Sequence, residues 1–124
     1  MESKVKVLIV DDSLIIRQAI EKNLNGFPIE IVGTAGDGKN ALELFTQHQP
    51  DVVTLDITMP EMDGIAVLEQ MMGQNPAVKV MVITALKDKA TGLKAIQLGA
   101  KSYITKPFTP EKLKTAFGRM LEKN

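Results

Sequence analysis

Five polar side chains in this sequence stand directly behind short apolar runs. Asp11 and Asp12 follow Val7-Leu8-Ile9-Val10, Asp56 follows Val52 to Leu55, Thr84 and Ala85 end the run that begins at Val78, and Lys106 follows Tyr103-Ile104-Thr105. Each has an ordinary reading when taken alone. Asp12 or Ser13 would serve as a helix N-cap, Asp56 as a turn residue, Thr84 as a strand end and Lys106 as a solvated cation. Brought together they make a different set: three carboxylates, a hydroxyl and an ammonium. Three clustered carboxylates repel one another, so either one of them protonates or a cation joins them. Hard oxygen ligands suit Mg²⁺, which takes one or two carboxylates and keeps waters for an incoming phosphate. Such an ion would orient a phosphoryl donor and neutralise its oxygens, and a carboxylate acting as nucleophile would become an acyl phosphate. Lys106 and Thr84 would grip the phosphoryl oxygens, and the small Ala85 leaves them room.

The meeting of these residues depends on the elements that carry them. Runs rich in β-branched residues at Val5 to Val10, Ile29 to Val32, Val52 to Leu55, Val78 to Thr84 and Tyr103 to Thr105 read as strands. Between them, apolar residues recur at helical spacing, as in Leu14, Ile15, Ala19, Ile20 and Leu24, and again in Ala41, Leu42, Leu44 and Phe45. Further helices are predicted from about Gly64 to Met72, Lys89 to Leu98 and Pro110 to Leu121. Gly26, Gln49-Pro50, Gly73 to Pro76 and Gly99 punctuate the ends of elements. Near-continuous apolar strands imply a parallel sheet covered on both faces, so the expected fold is a three-layer, doubly wound α/β sandwich of (βα)5 type. Right-handed crossovers place every strand carboxyl end on one edge, where ligands of such sheets bind. That edge gathers all five residues.

Composition narrows the classes. One domain spanning residues 1–124 is expected, with 44% apolar residues to fill a core. Fifteen basic residues balance fifteen acidic ones, so no general field attracts nucleic acid or an anionic membrane. Cysteine is absent, which removes disulfides, thiolate metal sites and a Cys nucleophile. No apolar run near the amino end is long enough for a signal peptide or a span, and a soluble cytoplasmic protein is expected. Gly33-Thr34-Ala35-Gly36-Asp37-Gly38 lacks the order of a nucleotide-binding loop and reads as a loop plus helix cap. The lone His48 has no partner at zinc spacing and reads as a surface residue. Met59, Met62, Met71, Met72, Met81 and Met120 read as gap-fillers of the core, and Lys87, Lys89 and Lys94 as a solvated helix face.

Taken in order, Val7-Leu8-Ile9-Val10-Asp11-Asp12-Ser13, Asp56-Ile57-Thr58-Met59-Pro60-Glu61-Met62-Asp63-Gly64, Thr84-Ala85, Gly99-Ala100 and Lys106-Pro107-Phe108 resemble the receiver domains of bacterial and archaeal response regulators, above all the single-domain chemotaxis type. The resemblance covers nearly the whole chain. It implies a sheet of order 2-1-3-4-5, the flavodoxin-like arrangement. It implies phosphorylation of Asp56, with Mg²⁺ held by Asp12, Asp56 and the backbone carbonyl of Thr58, and by Asp11 through a water. Lys106 and Thr84 would touch the phosphoryl oxygens, Tyr103 would be the aromatic switch residue, and the Lys106-Pro107 bond would be cis. A sensor histidine kinase of chemotaxis type would supply the phosphoryl group. The face of helix 4, strand 5 and helix 5 would hand the signal to a downstream protein such as the flagellar switch, in a protein expected to be a monomer. Gly92 stands on that face where enteric chemotaxis relatives carry isoleucine, and Thr58 and Leu86 occupy positions that tune dephosphorylation. Val32-Gly33-Thr34-Ala35 and Val53-Thr54-Leu55-Asp56 are also similar to the receiver half of the chemotaxis methylesterase. With three residues after Leu121, a non-covalent output is expected. The alternatives are a phosphorelay intermediate, a Mg²⁺-dependent phosphohydrolase and a non-phosphorylated adaptor.

Overall fold

The computed structural model describes residues 4–58, 63–85 and 89–122. Met59, Pro60, Glu61, Met62, Leu86 and Lys87, used above, lie outside these residues. Strands and helices alternate strictly: β1 Val5–Val10, α1 Leu14–Asn23, β2 Ile29–Ala35, α2 Gly38–His48, β3 Val52–Leu55, α3 Gly64–Gln74, β4 Lys79–Thr84, α4 Lys89–Gln97, β5 Ser102–Thr105 and α5 Pro110–Glu122. All four strand pairings are parallel, and the sheet order is β2-β1-β3-β4-β5, as the sequence pattern and the resemblance imply.

Period-two alternation on the central strands builds two cores. Leu8 and Val10, Val53 and Leu55, and Val80 and Val82 face one side, where Ala41 and Phe45 of α2, Val67, Leu68 and Met71 of α3 and Ala95 of α4 cover them. Val7 and Ile9, Val52, and Met81 and Ile83 face the other, under Ile20 and Leu24 at α1 and Leu113, Phe117 and Met120 of α5. Because the three central strands are buried on both faces, they read as unbroken apolar runs. Phe27 closes one end of the second core, edge-on to Phe117 with ring centroids 5.0 Å apart.

Two element ends and the setting of one residue differ notably from the sequence reading. β2 runs on through Gly33, Thr34 and Ala35, which were expected in a loop. Pairing with β1 shifts between Val7 and Leu8, so the strand absorbs an extra residue and continues. Gly33 fits there because a Cβ would come within 3.2 Å of Leu44 Cδ1 on α2. The loop is thereby shortened to Gly36 and Asp37, and Asp37 caps α2 by accepting from Asn40 N at 2.8 Å. α3 continues through Gly73, expected to end it, to an Asn75 cap whose amide donates to Met71 O at 3.0 Å. Gly73 meets nothing there, and a glycine costs a helix only about 1 kcal/mol, which the burial of Val67, Leu68 and Met71 in the same helix outweighs. His48, expected at the surface, is half-buried, and its carbonyl accepts from Lys6 Nζ at 3.0 Å. Among the methionines, Met71, Met81 and Met120 are core residues. No helix among the described residues is long and apolar enough to cross a membrane.

Candidate functional site

The carboxyl ends of β1, β3, β4 and β5 bring Asp11, Asp56, Thr84 and Lys106 to the same edge of the sheet. Two of the carboxylates are fixed in the same way. Asp11 Oδ1 accepts from the amide of Ser13 at 2.9 Å, and Asp56 Oδ1 accepts from the amide of Thr58 at 2.8 Å, each from two residues on. Backbone bonds anchor their strands: Asp56 N donates to Val10 O and Asp11 N to Ala35 O, both at 3.0 Å. The Ser13 hydroxyl accepts from Ile16 N at 3.3 Å and starts α1 immediately after the acids. At β3, a Cβ on Gly64 would lie 2.2 Å from Ile57 Cα, so only glycine lets α3 begin against the residue next to Asp56.

Asp11 and Asp56 are 1% and 2% exposed, Thr84 is fully buried, and Asp12 is exposed. Lys106 joins the two buried acids, with Nζ 2.7 Å from Asp11 Oδ2 and 3.0 Å from Asp56 Oδ2. Its backbone is set by a 2.7 Å bond from Lys106 N to Thr84 O, and the peptide to Pro107 is cis. The hydroxyl of Thr58 donates to Asp56 Oδ1 at 2.5 Å, and that of Thr84 donates to Thr58 Oγ1 at 3.4 Å. Thr84 therefore reaches Asp56 through Thr58. Tyr103 packs on the core beside α4, where a Cβ on Gly92 would lie 3.4 Å from its Cζ.

Burial, by disfavouring the charged form, raises the Asp11 carboxyl above its usual range, and Lys106 and the Ser13 amide offset this only in part. Burial would lower the Lys106 ammonium, but the bonds and attraction from Asp11 and Asp56 outweigh it and the net direction is upward. The asymmetry follows depth, since Asp11 is almost fully enclosed while the Lys106 side chain is 19% exposed. The stabilisation from Lys106 is present below the usual lysine value of 10.5 and is lost only as pH climbs through its higher folded value. The folded value of Asp11 is also raised, so the stability linked to it is full below 3.8 and is lost as pH rises through that higher value and the group ionises.

Whether a cation suits this set is answered by its oxygens. Asp11, Asp12 and Asp56 each offer one carboxylate oxygen within 4.8 Å of the others, the one such cluster of His, Cys, Asp or Glu among the described residues. That span is close to the about 4.2 Å between opposite oxygens on one Mg²⁺. Asp11 Oδ2 is buried and its one ion-pair partner among the described residues is the Lys106 ammonium at 2.7 Å, so a carboxylate oxygen with lone pairs to spare faces the cluster. The residues fit a divalent cation. Asp11→Asn is accordingly expected to raise the melting temperature of metal-free protein by a few degrees, because an ionised buried acid is removed, and to weaken the further rise caused by added Mg²⁺. Thermal unfolding with and without Mg²⁺ reads both effects, and a lower metal-free value would contradict the electrostatic account.

One participant escaped the sequence reading. Arg17 Nη1 donates to the backbone carbonyl of Asp11 at 2.6 Å. The signal was available: Arg17, Ile20 and Leu24 lie three and four residues apart, so a cation shares the stripe that α1 buries.

Residues 7–118 match the family described as response regulator receiver domain. The chain is 46% identical over 112 residues to the protein-glutamate methylesterase/protein-glutamine glutaminase of Halalkalibacterium halodurans, covering 89% of this chain and 32% of that protein. It is 37% identical to the chemotaxis protein CheY of Thermotoga maritima, covering 93% and 96% of the two chains. Among solved structures, it matches a chain of the CheX-CheY-BeF3-Mg²⁺ complex from Borrelia burgdorferi with a TM-score of 0.90 and 34% identity, over 96% of this chain and 90% of that one. The chain thus spans about a third of the methylesterase and nearly all of CheY.

Proposed function

The chain belongs to the response-regulator receiver family, and from that premise we propose that Asp56 accepts the phosphoryl group, with Asp12, Asp56 and the Thr58 carbonyl holding Mg²⁺ and Asp11 acting on it through a water. The carrying observation is the buried Asp56 carboxylate, joined to Lys106 on one oxygen and to Thr58 on the other, with the buried Asp11 carboxylate held against the same ammonium. Bound Mg²⁺ supplies charge neutralisation and alignment of the donor. The Asp56 carboxylate attacks phosphorus, the bond from phosphorus to the donor breaks, and the donor leaves as an imidazole of a kinase histidine or as acetate from acetyl phosphate. Lys106 exchanges its contact with Asp56 for one with a phosphoryl oxygen, and Thr84, already linked through Thr58, takes another.

The downstream effect is a population shift. Movement of Thr84 toward the phosphoryl group would free the space into which Tyr103 turns, and the face of α4, β5 and α5 would change partner. Moving such an equilibrium from 1:99 to 99:1 takes about 5.5 kcal/mol of differential affinity. Leu93 and Ile96 of α4, 60% and 46% exposed, support a protein-binding role for that face. The end-to-end match to a chemotaxis protein supports a chemotaxis role, with a chemotaxis-type histidine kinase as donor and the flagellar switch as target. Timed transfer from such a kinase tests the donor. Capture of a purified flagellar-switch protein with and without beryllofluoride tests the output, which should depend on the activated state and be lost in Leu93→Asp. State-independent capture, or transfer onward to a histidine phosphotransfer protein in preference, would favour the phosphorelay alternative.

A further inference from the structure

We propose that Arg17 is a positioning residue for the cation site, acting on the peptide that joins Asp11 to Asp12. The inference rests on the Mg²⁺-dependent phosphoacceptor reading above. A peptide unit is planar, so the carbonyl oxygen of Asp11 and the α-carbons of Asp11 and Asp12 lie in one plane. Holding that oxygen restricts ψ of Asp11 and φ of Asp12, and with them the directions in which the two side chains leave the backbone. Arg17 Nη1 holds it at 2.6 Å, from α1, while the amide of Asp11 is held on the other side by Ala35 O at the end of β2. Residue 11 is clamped through both of its backbone groups.

The surroundings are shaped for this guanidinium. The turn after β2 closes over it at Gly36, where a Cβ would come within 3.1 Å of Nη1. Arg17 Nε is buried and makes no hydrogen bond among the described residues. Burying that N–H without a partner carries a cost, which the bond to the Asp11 carbonyl helps to offset.

Positioning and electrostatics predict opposite signs. A cation beside a cation site repels the metal, so removing the Arg17 charge alone would tighten Mg²⁺ binding. If Arg17 aims the carboxylates, removing it weakens binding. Calorimetric titration with Mg²⁺ of the full chain decides this. Arg17→Met is expected to weaken Mg²⁺ about tenfold, in line with other partners that orient metal ligands, and Arg17→Lys to recover part of the loss. Gly36→Ala keeps the charge but displaces the guanidinium. It should weaken Mg²⁺ in the wild-type background and have no effect in Arg17→Met, a coupling that two independent structural defects would not show. Arg17→Met binding as tightly as wild type or tighter, or Gly36→Ala acting equally in both backgrounds, would overturn the proposal. If Arg17→Met does not fold, Arg17→Lys and Gly36→Ala carry the test, and wild-type affinity in either overturns it. Failure of the wild type itself to bind Mg²⁺ overturns the reading underneath and is distinguished by that first titration.

Discussion

Asp56→Asn should form no acyl phosphate when incubated with acetyl phosphate and Mg²⁺ under conditions that convert the wild type, a loss of at least about 10³-fold in rate. The amide has the shape of the carboxylate and can still accept from the Thr58 amide, which bonds Asp56 Oδ1 at 2.8 Å, so folding should be preserved. It lacks the anionic oxygen that attacks phosphorus. The comparison with Asp11→Asn is informative, because that variant perturbs the cation site and leaves the nucleophile intact. Slow but measurable modification is expected there. Equal modification of Asp56→Asn and wild type would remove Asp56 from the reaction.

The second large effect is expected from Lys106→Met. Its ammonium lies 2.7 Å and 3.0 Å from two acids that are almost fully buried. Removing one partner of a buried ionic cluster leaves uncompensated charge behind, and the expected loss in metal-free stability is about 3 kcal/mol, at the lower end for such breakage. The 19% exposure of the lysine side chain argues for that end. Mg²⁺ affinity should move the other way, because the lysine and the cation compete for the same carboxylates. Chemical denaturation with and without Mg²⁺ measures both. Phosphorylation-dependent partner binding should fall as well, since Lys106 would no longer draw the phosphoryl group toward β5. An unchanged denaturation midpoint would show that the cluster does not need the ammonium.

The topology was legible because three central strands are buried on both faces and announce themselves as apolar runs, while punctuation at Gln49-Pro50 and Gly99 marks real helix ends, with φ of 47° at Gln49 and 116° at Gly99. The site was legible for a related reason. Parallel strands with helical crossovers deliver their carboxyl ends to one edge, so the residues following each strand could be gathered without knowing any distance. What was hidden depended on three-dimensional detail. The glycine-containing tract from Gly33 to Ala35 looked like a loop because its strand character comes from pairing with β1 across a register shift. Gly73 looked like a stop because helix propensity is weaker than the packing of the helix that contains it. Arg17 was passed over because side-chain bonds to backbone carbonyls leave no spacing rule in the sequence, although its place on the apolar stripe of α1 was a clue. The route from Thr84 to Asp56 through Thr58 is likewise a fact of geometry.

Reductive trapping of the acyl phosphate with borohydride, followed by peptide mapping, tests the central claim most directly, since it converts the phosphorylated aspartate to homoserine in place. The expected product carries homoserine at position 56 and nowhere else. Homoserine at position 11 or 12, or an acid-stable phosphate on a hydroxyl side chain, would contradict the account.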